Sequence, residues 1–248
     1  MVKKPFGVLI VHGFTSSVDC VSPIEPPMKK LGLPTRMPIL RGHSAESPDA
    51  LRGVKWEDWL ADGESALLDL LKEVNKVIIV GLSMGGLVTL DLAAMYSDKV
   101  DSIVLAAAGV QLANPLAPGR PLSFLRPVIK VFFKKWNVPP VRADQSLLQY
   151  DNNYHWAPMD AIDELLEYSG HGLQNLEKVR VPTLILQSRK DVSVVPESAE
   201  WIYDRISTPK KDKKIIWYEV TSHEMFRDCE VDKIVADIEQ YVRGRIGK

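Results

Sequence analysis

Lys76-Val77-Ile78-Ile79-Val80-Gly81-Leu82-Ser83-Met84-Gly85 is the stretch whose reading decides the fold of this chain of 248 residues. The apolar run Lys76–Val80 reads as a buried strand, and Gly86 to Met95 is competent to form a helix. A strand that feeds a helix through G-x-S-x-G is a nucleophile elbow. The turn forces the serine into a strained, exposed position, and the flanking glycines admit backbone approaches that a side chain would block. Ser83 is therefore the candidate nucleophile. Gly and Ser are common turn residues, so the pattern draws its meaning from context.

A serine hydroxyl is a poor nucleophile at neutral pH and needs a base to take its proton and an acid to orient that base. Both appear downstream. Asp191 lies just past the apolar run Thr183–Gln187, and His223 just past Lys214–Val220. Ser, Asp, His is the chain order of a hydrolase triad, and each residue falls beyond the carboxyl end of a strand, where open parallel sheets place their ligands. Glu224 and Asp228 are rival orienting acids, but a carboxylate next to the histidine usually points away from Nδ1, which favours Asp191. The oxyanion of an acyl-transfer intermediate needs donors as well. The first strand, Phe6–Val11, ends in His12-Gly13-Phe14-Thr15, so the backbone N–H groups of Phe14 and Met84 are the candidate oxyanion hole.

Outward from these motifs, strand-like runs at Phe6–Val11, Thr35–Leu40, Lys76–Val80, Ser102–Ala108, Thr183–Gln187 and Lys214–Val220 alternate with helical stretches at Val54–Val74, Pro196–Ile206 and Val231–Arg245. This alternation predicts an α/β fold, a parallel sheet covered on both faces. The segment between Gly109 and Thr183 is far longer than the usual strand–helix connection. Residues 111–178 read as an inserted cap over a core of 1–110 and 179–248. Its prolines predict short helices, and its aromatic and aliphatic content predicts an apolar pocket wall.

His12-Gly13-Phe14-Thr15, Gly81-Leu82-Ser83-Met84-Gly85-Gly86, Pro182 to Asp191, and Ile216-Trp217-Tyr218-Glu219 leading to His223 together resemble the α/β-hydrolase superfamily. More narrowly they resemble its small bacterial carboxylesterases and monoacylglycerol lipases. The resemblance implies a mostly parallel sheet with a mainly helical cap, and hydrolysis of short- to medium-chain lipophilic esters, monoacylglycerols among them. Thioesterase, acyltransferase, amidase and carbon–carbon hydrolase activities reuse the same triad and stay open, as does a non-catalytic ligand receptor on the same fold. Two departures stand out: Ser222 precedes the histidine where glycine is frequent, and Ser44 follows Arg41-Gly42-His43 where glycine is frequent.

Composition narrows the partners. Net charge of −1 provides no overall basic field for nucleic acid or anionic lipid. The expected partner is a small ester, met by a monomer or small homo-oligomer without stable membrane insertion, since no apolar run reaches spanning length. No cofactor and no metal are expected, because the five histidines show no ligand spacing. His43 reads as a structural hydrogen-bonding residue, and His155 and His171 as packing or surface residues. Cys20 and Cys229 are too few for a disulfide framework and suit a reduced, cytoplasmic setting. The basic start and apolar run to Val11 lack a small-residue cleavage site, and cleavage there would remove the candidate oxyanion loop.

Overall fold

A computed structural model describes residues 3–247. Six strands form one sheet: β1 (Lys4–Val11), β2 (Thr35–Arg36), β3 (Val74–Leu82), β4 (Val100–Ala106), β7 (Thr183–Ser188) and β8 (Lys213–Tyr218). Their spatial order is β2-β1-β3-β4-β7-β8, and every pair is parallel. Alternating residues enter two apolar layers. Leu9, Val11, Val77, Ile79, Ile103 and Leu105 face one layer, packed by α2 (Trp56–Leu70), α3 (Met84–Met95) and α6 (Ser198–Arg205). Val8, Ile10, Ile78, Val80, Val104 and Ala106 face the other, packed by α1 (Glu25–Lys30) and α7 (Val231–Ile246). Burial on both faces explains why the strands read as unbroken apolar runs. This is the α/β-hydrolase fold.

The expected strand Thr35–Leu40 shrinks to Thr35–Arg36. Pro38 has no N–H to give an edge ladder, and the chain beyond it is held differently, by the Leu40 N–H donating 3.1 Å to His12 Nε2. The expected helix Val54–Val74 ends at Leu70, because Val74 already begins β3.

Between β4 and β7 the chain forms α4 (Arg126–Phe132), an antiparallel pair β5 (Lys135–Asn137) and β6 (Trp156–Pro158), and α5 (Met159–Asn175). Short helices were expected throughout, yet α5 runs for 17 residues. Pro158 sits immediately before its first turn, where a missing N–H costs nothing, and no proline follows within it. Ala161, Ile162, Leu166 and Tyr168 of α5 join the same apolar layer as α2 and α3.

The connections fix where a ligand can sit. After β1 the chain moves outward to β2, and after α2 it returns to the other side of β1 as β3. The loops leaving β1 and β3 therefore diverge and open a crevice at the carboxyl end of the sheet.

Candidate active site

Ser83 stands between β3 and α3 with φ 54° and ψ −114°, a left-handed backbone that a non-glycine residue adopts only under constraint. Its N–H donates 2.9 Å to Ala106 O, and its carbonyl accepts from Gly86 at 2.9 Å and Gly109 at 3.1 Å. The glycines around it are sterically required. A Cβ on Gly81 would stand 2.2 Å from Gly85 O, and one on Gly85 would stand 2.3 Å from Val11 O. The elbow thus presses directly on the end of β1.

His223 follows β8 and Asp191 follows β7. Ser83 Oγ lies 3.0 Å from His223 Nε2, and His223 Nδ1 lies 2.9 Å from Asp191 Oδ2. The carboxylate is fixed on every side: Gln187 Nε2 donates to Oδ2 at 3.0 Å, and the Ser193 and Val194 N–H groups each donate to Oδ1 at 2.9 Å. Burial alone would push Asp191 up, but the His223 charge and hydrogen bond, together with those two amides, hold it below the usual carboxylate value. Burial would likewise favour a neutral His223, yet the Asp191 charge and hydrogen bond prevail and raise the imidazole above its ordinary 6.5. An acceptor at Nδ1 makes that nitrogen the donor, which leaves the Nε2 lone pair for the serine proton.

The rival carboxylates are occupied elsewhere. Glu224 accepts from Arg142 Nε at 3.1 Å and from Asn153 Nδ2 at 2.9 Å. Asp228 accepts four backbone N–H groups, from Ala143, Ser222, Asp144 and Cys229. These bonds overcome burial and hold its carboxyl low.

The loop after β1 approaches the serine closely: a Cβ on Gly13 would sit 3.4 Å from Ser83 Cβ. Among the described residues, neither the Phe14 nor the Met84 amide is paired with a loop, turn or cap acceptor. His12 holds this loop. Its Nδ1 donates 2.8 Å to Gly13 O while Nε2 accepts from Leu40, and burial lowers its pKa to about 4, so the ring is a neutral spacer. His43 is structural in the same sense. Burial takes it to about 3, its Nδ1 lies 3.1 Å from Leu40 O, and its ring stands edge-on to Phe14 and Trp59. His155 is exposed beside Asp151, and His171 packs on Trp56.

The two departures resolve differently. Ser44 has φ 57°, so it bears a strain that glycine would not. Ser222 avoids the left-handed region and is bonded through its N–H to Asp228 at 2.7 Å.

Over the serine lies a cavity of about 390 Å³ whose wall includes Phe14, Leu112, Trp136, Val138, Tyr154, Ile162 and Leu166, with Asn153, His223 and Glu224 at its polar side. Glu224 is the single carboxylate on that wall among the described residues, and Arg142 neutralises it. Among the described residues no group of three or more His, Cys, Asp or Glu is placed to hold a metal ion.

Arg142 has no signature in the sequence. It is 3% exposed and links Glu224, Asp151 at 2.9 Å and the Leu147 carbonyl, so the segment between β4 and β7 is tied to the residue beside His223. Nothing in Val141-Arg142-Ala143 distinguishes this arginine from a surface one, because its Glu224 partner lies 82 positions away.

The family described as Hydrolase_4, serine aminopeptidase S33, matches residues 6–230. The chain belongs to that hydrolase family. It is 26% identical over 253 residues to a carboxylesterase of Bacillus subtilis (strain 168), covering 98% of this chain and 97% of the relative. It is 28% identical over 211 residues to a thermostable monoacylglycerol lipase of Bacillus sp. (strain H-257), covering 84% and 79%. Among solved structures, one from a study of the metagenome-derived lipolytic enzymes LipS and LipT superposes with a TM-score of 0.84 at 25% identity, covering 98% and 95%. The family, these relatives and the fold make the chain a hydrolase enzyme that resembles small bacterial esterases.

Proposed function

We propose that this hydrolase cleaves short- to medium-chain lipophilic carboxylic esters, monoacylglycerols among them, through an acyl-enzyme on Ser83, with residues 111–178 as the cap over the site. In this reading His223 Nε2 takes the Ser83 proton as Oγ attacks the ester carbonyl, and the Phe14 and Met84 N–H groups hold the oxyanion. Collapse of the tetrahedral intermediate breaks the ester C–O bond, and His223 returns the proton to the departing alkoxide. Water, losing its proton to His223, then attacks the acyl-enzyme; collapse of this second intermediate breaks the bond to Ser83 Oγ, His223 returns the proton to Oγ, and the acid leaves. Asp191 fixes the imidazole tautomer and stabilises the imidazolium.

One observation carries the proposal: the Ser83–His223–Asp191 relay, with spacings of 3.0 and 2.9 Å, opens into a mostly apolar cavity whose single carboxylate is already paired. An aminopeptidase must bind a substrate ammonium group, and among the described residues the one carboxylate on this wall is already paired with Arg142. An ester with an apolar acyl group and a polar alcohol matches the wall better, with Asn153 and Glu224 on the polar side. The test is a turnover screen over p-nitrophenyl and glycerol esters of graded length, with acyl thioesters and aminoacyl p-nitroanilides alongside, and an organophosphate mass label on the intact chain. Ester turnover with label on Ser83 is expected. Labelling without turnover of any ester, or faster turnover of the anilides or thioesters, would refute the reading.

A further inference from the structure

Net charge conceals a segregation along the chain. From Arg120 to Lys135 the sequence carries five cations, Arg120, Arg126, Lys130, Lys134 and Lys135, and no acid, although the whole chain sums to −1. The same stretch holds much of the exposed apolar surface: Phe124, Val128, Val131, Phe132 and Phe133 are each between 55% and 75% exposed. The segment is nevertheless anchored. Ile129 packs toward the core, Arg126 and Lys130 reach back to Asp163 of α5 at 2.6 and 3.0 Å, and Lys135 Nζ lies 3.7 Å over the Trp156 ring. One side of α4 is therefore fixed to the body while its aromatic side is turned outward. Contiguous apolar patches with a polar rim mark interaction surfaces.

We propose that the surface from Phe124 to Lys135 docks on a lipid–water interface bearing anionic headgroups. Phe124, Phe132 and Phe133 enter the headgroup–acyl boundary, and Lys134 lies against the phosphates. Charge decides between occupants. A second copy seated on the same patch would bring Lys134 and Lys135 of each copy face to face, with Asp163 already shared between Arg126 and Lys130. An anionic lipid surface meets both the aromatic and the cationic parts. The location also matters, because Trp136 and Val138, directly after Lys135, line the cavity above Ser83. A docked surface sets that cavity beside the lipid.

The test uses the full chain and reads binding rather than turnover, so its outcome is separate from that of the esterase proposal. Co-sedimentation is measured with phosphatidylcholine vesicles, alone and doped with phosphatidylglycerol, at low and high salt. Binding is expected on the doped vesicles, weakened by salt. Phe132→Ser/Phe133→Ser should lower partition about tenfold or more. Lys134→Glu should lower it about fivefold or more on doped vesicles only. An unchanged melting temperature checks the fold of each variant, and Phe124→Ser is a separate probe of the same surface. Absence of binding to doped vesicles, equal binding to both kinds, or a solution dimer that Phe132→Ser dissociates would each overturn the proposal.

Discussion

Around Ser83 the chain is held by backbone contacts too close for any side chain, whereas around His223 it is held by charges that come from another part of the sequence. At the elbow, Gly81 and Gly85 meet carbonyl oxygens at 2.2 and 2.3 Å from where a Cβ would stand. Beside His223, Arg142 joins Glu224 to Asp151, and Asp228 gathers amides from both the inserted segment and the histidine loop. A backbone vise has one geometry. A charged clasp can open, and its loss leaves buried charges behind.

The largest expected effect tests the elbow side. Ser83→Ala and His223→Ala should each lower kcat for a soluble ester by roughly 10⁴–10⁶-fold, and the double variant should be little worse, because the two groups act as one unit. Multiplicative losses in the double variant would mean that the 3.0 Å contact is not a working unit.

The clasp is tested by Arg142→Met. Removing one member of a buried ion pair leaves the others uncompensated, at a cost of about 3–5 kcal/mol. Urea unfolding should register that loss, and adding Glu224→Gln should recover part of it by neutralising one orphaned carboxylate. A loss under about 1 kcal/mol, the range of an exposed pair, would show that the inserted segment is held by apolar packing instead.

The same contrast governs what could be read beforehand. Ser83, Asp191 and His223 were legible because each sits at the end of an apolar strand in an informative order, and strand ends are local features. The Thr35–Leu40 run is strand-like by its apolar character, yet the strand stops at Arg36, since the missing N–H of Pro38 acts only in an edge ladder. Arg142 was illegible for a different reason: its role depends on residues far away in sequence. The β5–β6 pair also escaped notice, since three-residue strands give too little alternation to read. Whole-chain charge likewise said nothing of the Arg120–Lys135 segment, because a sum discards position.

Protonation sharpens the comparison further. Only neutral His223 can accept the serine proton, and Asp191 raises the imidazole pKa above 6.5. The acid limb of kcat/KM should therefore inflect above 6.5, with about tenfold loss for each pH unit well below the inflection. In Asp191→Asn, burial remains while the raising charge is gone, so the limb of the residual activity should move to lower pH. A limb that stays in place would assign the titration to another group. His12 and His43, held neutral by burial to about 4 and 3, do not titrate in that window.

The smallest effect concerns the part of the cavity wall that lies between β4 and β7. Trp136, Val138, Ile162 and Leu166 offer apolar surface above Ser83 within a cavity of about 390 Å³. Each substrate CH₂ buried there contributes about 0.8 kcal/mol, close to fourfold in kcat/KM. Preference should rise with acyl length at that slope and stop when the cavity is full; under the proposed function that limit falls at short to medium chains. Narrowing the wall with Leu166→Trp should bring the plateau to a shorter acyl chain without altering the rate on acetyl esters. The elbow makes the opposite demand, since its geometry is indifferent to acyl length. A plateau unmoved by Leu166→Trp in a folded variant would mean that the acyl chain leaves the serine along some other path than the wall provided by 111–178.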